Sequence, residues 1–206
     1  INSAIVFANN AATSITSNAG STLNLGGGAS NSQYRFLGAG TINMTSGTYT
    51  ANVGRVNVGT FNQTGGTFNM SMPIASGGQY AIGNAAGRSV TYTMSGNAII
   101  NANSGSAAAT NAFLAIGRAS GTNAYTNTLN VTGGAATVGT GNTDNKIYFF
   151  KAGSNPGYTA NMTQSGGTVT ANGIQFGGTA GTYDATSSAN LTLTSGALYV
   201  GLQGIT

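Results

Sequence analysis

Thr60-Phe61-Asn62-Gln63-Thr64-Gly65-Gly66-Thr67-Phe68-Asn69 carries a pattern that recurs along the chain: two inward-type positions two apart, a Gly three further on, then a short β-prone run. The same order returns in Met162-Thr163-Gln164-Ser165-Gly166-Gly167-Thr168-Val169-Thr170 and in Leu191-Thr192-Leu193-Thr194-Ser195-Gly196-Ala197-Leu198-Tyr199. Looser copies are Ile42, Met44, Gly47, then Tyr92, Met94, Asn97, and Leu129, Val131, Gly134. Leu23, Leu25, Gly28 and the weaker Ile5, Phe7, Asn10 extend the series towards the N-terminus.

Alternation of these paired residues with Thr, Asn or Ser has the period of a strand with one buried face. The position that follows is Gly28, Gly47, Gly66, Gly134, Gly167 or Gly196, and Asn in the other two copies, Asn10 and Asn97. Gly and Asn are the residues that tolerate positive φ, so a left-handed backbone corner is expected at all eight. A third class of strand lies between the units, in Val56-Asn57-Val58-Gly59, Tyr80-Ala81-Ile82-Gly83, Leu114-Ala115-Ile116-Gly117 and Ile174-Gln175-Phe176-Gly177. Ile147-Tyr148-Phe149 stands at the equivalent place without the Gly.

Successive corners fall 18, 19, 19, 31, 37, 33 and 29 residues apart. Repeats of this length, none able to bury a face alone, predict stacked units. The expectation is an all-β chain: one right-handed parallel β-helix (β-solenoid) of roughly six to eight coils over residues 1–206. Residues 1–66 would form the tighter coils and 67–206 the longer ones, with loops such as Gly117 to Tyr125 and Thr140 to Lys146.

Charged residues are only 4% of the chain, far below the usual quarter, and the net +4 comes from six basic residues against Asp144 and Asp184. The surface must be made of hydroxyls and amides, which offer little like-charge repulsion against association. Arg35, Arg55, Arg88, Arg118, Lys146 and Lys151 are spread along the chain. Neutralising a phosphate backbone needs dense basic charge, so no nucleic-acid partner is expected. No apolar run is long enough for a spanning helix. The start lacks a charged n-region and h-region, so the numbered chain reads as a mature form or a segment.

Cys and His are both absent, which removes thiolate chemistry, the usual general base and the commonest metal ligand. Asp144 and Asp184 sit in turn-like contexts, where Asp bonds local backbone, so no catalytic pair is expected. The readings that follow are no enzyme, no catalytic residue, no cofactor and no metal.

Sequons at Asn43, Asn62, Asn69, Asn130, Asn161 and Asn190 are candidate glycosylation sites, five of them on or beside the first strand of a repeat. In a chain this rich in Asn and Thr, composition alone supplies most of them. The pairs Thr48/Thr50, Thr91/Thr93, Thr168/Thr170 and Thr192/Thr194 raise ice binding by ladders of outward Thr. They fall in two strand classes, before and after the corner, and so do not form one array.

The phrases Thr60 to Asn69, Met162 to Val169 and Tyr80-Ala81-Ile82-Gly83-Asn84 resemble the autotransporter-associated β-strand repeat. The likeness covers about residues 20–206 and defines no active site. It implies a right-handed parallel β-helix, a location outside the cell or on its surface, and a scaffold or adhesin role. The short early spacings and the absence of a recognisable translocator or anchor segment depart from that pattern.

The function expected is structural: a subunit assembling with itself, head to tail, into a filament or sheath. Terminal strands expose unpaired backbone groups that template further strands. The candidate assembly residues are Ile1, Ile5, Val6 and Phe7 at one end and Leu198, Val200 and Leu202 at the other. The alternative is a glycan-binding adhesin rod or an ice-binding β-helix. An adhesin predicts exposed Tyr148, Tyr158 and Tyr183, whereas Phe61, Phe68, Tyr92, Phe113 and Phe176 are expected inside.

Overall fold

The computed structural model describes residues 12–16, 20, 22–25, 29–30, 33–51, 53–70, 79–83, 88–102, 113–117, 124–139, 145–150, 157–177 and 186–206. Among these residues sixteen strands lie in one sheet. The first eight are β1 (Ala12–Thr16), β2 (Thr22–Leu25), β3 (Ala29–Ser30), β4 (Gln33–Met44), β5 (Thr48–Thr50), β6 (Val53–Gln63), β7 (Thr67–Asn69) and β8 (Gln79–Ile82). The others are β9 (Val90–Met94), β10 (Ile99–Ala102), β11 (Phe113–Ile116), β12 (Thr126–Val131), β13 (Ala135–Val138), β14 (Lys146–Phe149), β15 (Thr159–Phe176) and β16 (Ser188–Ile205).

Every pairing among the described strands is parallel, and the pairing closes on itself. β6 joins β8, β8 joins β11, β11 joins β14 and β14 joins β15. From β15 the ladder returns through β12 and β9 to β6. The result is a closed seven-strand parallel barrel with nine strands outside the ring, and the open right-handed β-helix expected from the repeat is corrected accordingly. The physical reason lies in β6 and β15. Each is long enough to carry two ladders: Val53–Val56 pair with β8 while Thr60–Gln63 pair with β9, and β15 does the same with β12 and β14. Local spacing shows each strand class but not that two strands serve both arcs.

Of the outer strands, β4 lies along β6, with β1 and β2 on its far side. β13, β10, β7, β5 and β3 run outward from the middle of β15, and β16 covers the other side of β15. The ladder continues through the corners, where Thr64 N donates to Met44 O at 2.9 Å, Ile99 N to Gly66 O at 2.9 Å and Thr168 N to Gly134 O at 3.0 Å. These bonds satisfy backbone groups that a turn would otherwise leave bare.

Alternation sets the core. Phe61, Tyr92, Leu129 and Met162 share one inward column, each in register with the next and each fully buried. Phe61 stacks on Tyr92 at 4.9 Å, and Phe36, Phe61 and Tyr80 all meet Phe68 of β7, so the outer strands close over the same core. Burying one such ring stabilises by about 1.5–3 kcal/mol. Gly54 makes room for Tyr80: a Cβ there would stand 2.5 Å from the ring.

The corners at Gly47, Gly66, Gly134, Gly167 and Gly196 are left-handed, with φ of 89°, 75°, 76°, 64° and 90°. The expected corner at Asn97 is not. Gly96, one residue earlier, takes φ 56°, and a Cβ on it would meet Thr64 O at 2.5 Å. Asn10 and Gly28 lie outside the described residues.

Candidate interaction surface

Among the described residues, β16 pairs with β15 alone, so one long side of an 18-residue strand carries no described partner. Its side chains include the large exposed apolars Leu193, Tyr199, Leu202 and Ile205, at 51%, 61%, 99% and 58% exposure. Of the expected assembly residues, Leu202 is exposed, while Leu198 and Val200 pack in part against the core. Ile1, Ile5, Val6 and Phe7 lie outside the described residues. Leu193, expected inward as the second paired residue of the last repeat copy, is exposed, and Tyr199 and Ile205 were not among the expected assembly residues, because strand alternation does not show which strand is left uncovered.

Beside Tyr199 runs a shallow cleft lined by Thr170, Ala171, Asn172, Val200 and Gly201. Tyr148 and Tyr158, which the adhesin reading would place outside, are buried: Tyr148 meets Phe113 at 6.1 Å, and Tyr158 meets Phe150 at 5.2 Å. Tyr183 falls outside the described residues. Phe61, Phe68, Tyr92 and Phe113 are buried, and partly buried Phe176 stacks on Phe149 at 4.6 Å.

A second surface is the outward side of the strands that precede the corners. Its first column reads Thr41, Thr60, Thr91, Thr128, Asn161, Asn190 in register. Its second reads Asn43, Asn62, Thr93, Asn130, Thr163, Thr192. Five of the six sequon asparagines therefore lie in these columns, while Asn69 sits on β7 opposite Thr50 and Asn101. The amides tie the columns together: Asn62 Nδ2 donates to Asn43 Oδ1 at 2.9 Å, and Asn190 Nδ2 to Asn161 Oδ1 at 2.9 Å. Thr91 and Thr93 belong here with Thr192, whereas Thr48 and Thr168 stand in the column after the corner beside Ile99 and Ala135.

Buried polar groups serve the core. Tyr80 Oη donates to Tyr92 Oη at 3.2 Å, and Tyr92 Oη to Gln63 Oε1 at 2.6 Å. Asn127 Nδ2 donates to Tyr158 Oη. Burial holds the phenols of Tyr80, Tyr92 and Tyr158 above the ordinary tyrosine range, so they stay neutral. No cluster of three His, Cys, Asp or Glu that could hold a metal occurs among the described residues, and Asp144 and Asp184 lie outside them. No described helix is long and apolar enough to cross a membrane.

No family model matches the chain, and neither a curated protein nor a solved structure is similar to it.

Proposed function

We propose that this chain is a structural, non-catalytic subunit of an extracellular or cell-surface assembly, and that copies add to one another through the β16 edge. The observation that carries the reading is that edge: a long strand with one side unpaired among the described residues and with Leu193, Tyr199, Leu202 and Ile205 exposed along it. Natural edges are blunted by charge, Pro or short length. Residues 188–205 contain no Lys, Arg, Asp, Glu or Pro.

The partner is a second copy joined head to tail, its β1, β2 and β3 side meeting β16. Such contacts are heterologous and propagate without closing. The repeat phrases that resemble the autotransporter-associated β-strand repeat support the extracellular location. Electron microscopy and sedimentation over a concentration series test the reading. Wild-type chain should form rods that lengthen with concentration, and the Leu193→Lys/Leu202→Lys pair should stay monomeric. Wild-type chain that is monomeric at every concentration overturns it.

A carbohydrate-binding adhesin is the second reading, favoured by exposed Tyr199 beside Thr170 and Asn172, an aromatic face next to polar groups. Glycan-array binding lost in Tyr199→Ala would support it, and no binding would remove it.

A further inference from the structure

We propose that the outward face before the corners binds ice, through its in-register columns of Thr and Asn. The two columns span β4, β6, β9, β12, β15 and β16, and every position in both is Thr or Asn. That uniformity is particular to this face. Beyond the corner, the matching outward columns admit Ile99, Ala135, Ala197 and Tyr199, and on the face after that Arg35 and Arg55 stand in register.

A third line of hydroxyls follows the two columns, and its direction is fixed. Thr64 Oγ1 donates to Met44 O at 3.5 Å, Thr132 Oγ1 to Met94 O at 3.0 Å and Thr194 Oγ1 to Gln164 O at 3.3 Å. A hydroxyl that donates to the strand beside it keeps its lone pairs for a neighbour outside. The Asn62–Asn43 amide bond likewise limits rotamers in the second column, and the Asn190–Asn161 bond does so in the first. Less side-chain freedom remains to be lost on binding.

The lattice spacing is set by the sheet, about 4.8 Å between strands and about 6.7 Å between alternate residues of one strand. Water oxygens on ice planes repeat at spacings of the same order. The chemistry separates ice from other occupants. Without a charged group the face offers a polyanion nothing to neutralise, and without a ring it offers a sugar face nothing to stack on. A neutral array of hydroxyls, methyls and amides suits a neutral solid made of hydrogen-bonding oxygens.

Ice-affinity partitioning and recrystallisation inhibition test this with the whole chain. Wild-type chain should enter the growing ice and slow recrystallisation. Thr128→Tyr in the middle of the face should abolish both, and Thr137→Tyr on β13, beyond the corner, should leave both unchanged. Circular dichroism checks folding. If Thr128→Tyr does not fold, Thr192→Tyr on exposed β16 should give the same loss. Wild-type chain excluded from ice overturns the proposal, including the case in which the face instead pairs with a second copy. So does equal loss in Thr137→Tyr.

Discussion

Gln63 and Gln164 make the same clip at two corners, and only one of them is fully satisfied. Gln63 Nε2 donates to Gly66 O at 3.0 Å and to Ile99 O at 3.1 Å; Gln164 Nε2 donates to Gly167 O at 3.3 Å and to Ala197 O at 2.8 Å. Gln63 Oε1 also accepts from Tyr92 Oη, while Gln164 Oε1 is buried with no partner among the described residues, its neighbouring column being filled by Leu191. Gln63→Leu strands the Tyr92 hydroxyl and should cost about 1–3 kcal/mol. Gln164→Leu removes an orphaned acceptor together with its donor and should cost less. Urea midpoints of the two variants check the order, and equal losses contradict it.

Gly96 and Asn97 offer a second contrast. Gly96 holds the left-handed φ of 56° in its corner, with Thr64 O close to where a Cβ would go. Gly96→Ala should therefore be destabilised by the αL penalty of about 1–2 kcal/mol together with a clash. Asn97→Ala should stay within about 0.5 kcal/mol, as is usual for an exposed position without such a feature. Thermal unfolding of both variants decides which residue is the corner.

Phe150 is the one described non-Gly residue with positive φ, at 68°, and it stands in the ladder position that Gly117 and Gly177 occupy in the neighbouring strands. Its ring is buried against Tyr158. Removing the ring costs about 3–5 kcal/mol. Phe150→Gly then recovers backbone strain that Phe150→Ala keeps, so the Gly variant should be the more stable by about 1 kcal/mol, the reverse of the usual Ala-over-Gly order. Chemical denaturation of the two variants measures the difference.

Stability should be nearly flat between about pH 5 and 9, because no side chain here titrates in that range: His and Glu are absent and Asp144 and Asp184 are few. Tyr80, Tyr92 and Tyr158 set the upper limit. Burial raises their folded pKa above the unfolded value, so their contribution is complete below about pH 10 and is lost as pH rises beyond it. Ionisation of these three buried phenols should coincide with unfolding, not precede it. Tyr80→Phe, which still fills its site, should move the transition upward in pH.

Strand identity and inward faces were legible because period-2 alternation is a local property. Phe61, Tyr92, Leu129 and Met162 stand where the repeat predicts. Closure was not legible, since it depends on β6 and β15 each holding two ladders, a fact about partners rather than about either segment. The Thr and Asn columns were half visible: Thr91/Thr93 and Thr192/Thr194 were noticed, but Thr-x-Asn rows such as Thr41/Asn43 were read only as sequons. Asn97 misled because Asn tolerates the left-handed region and Gly96, beside it, tolerates it at lower cost.

Amide hydrogen exchange along residues 188–205, at low and high protein concentration, tests the assembly claim most directly. Partner strands on the free side of β16 should slow exchange at alternate residues in the concentrated sample and leave them fast in the dilute one. Exchange along β16 that is the same at both concentrations would contradict edge-to-edge assembly.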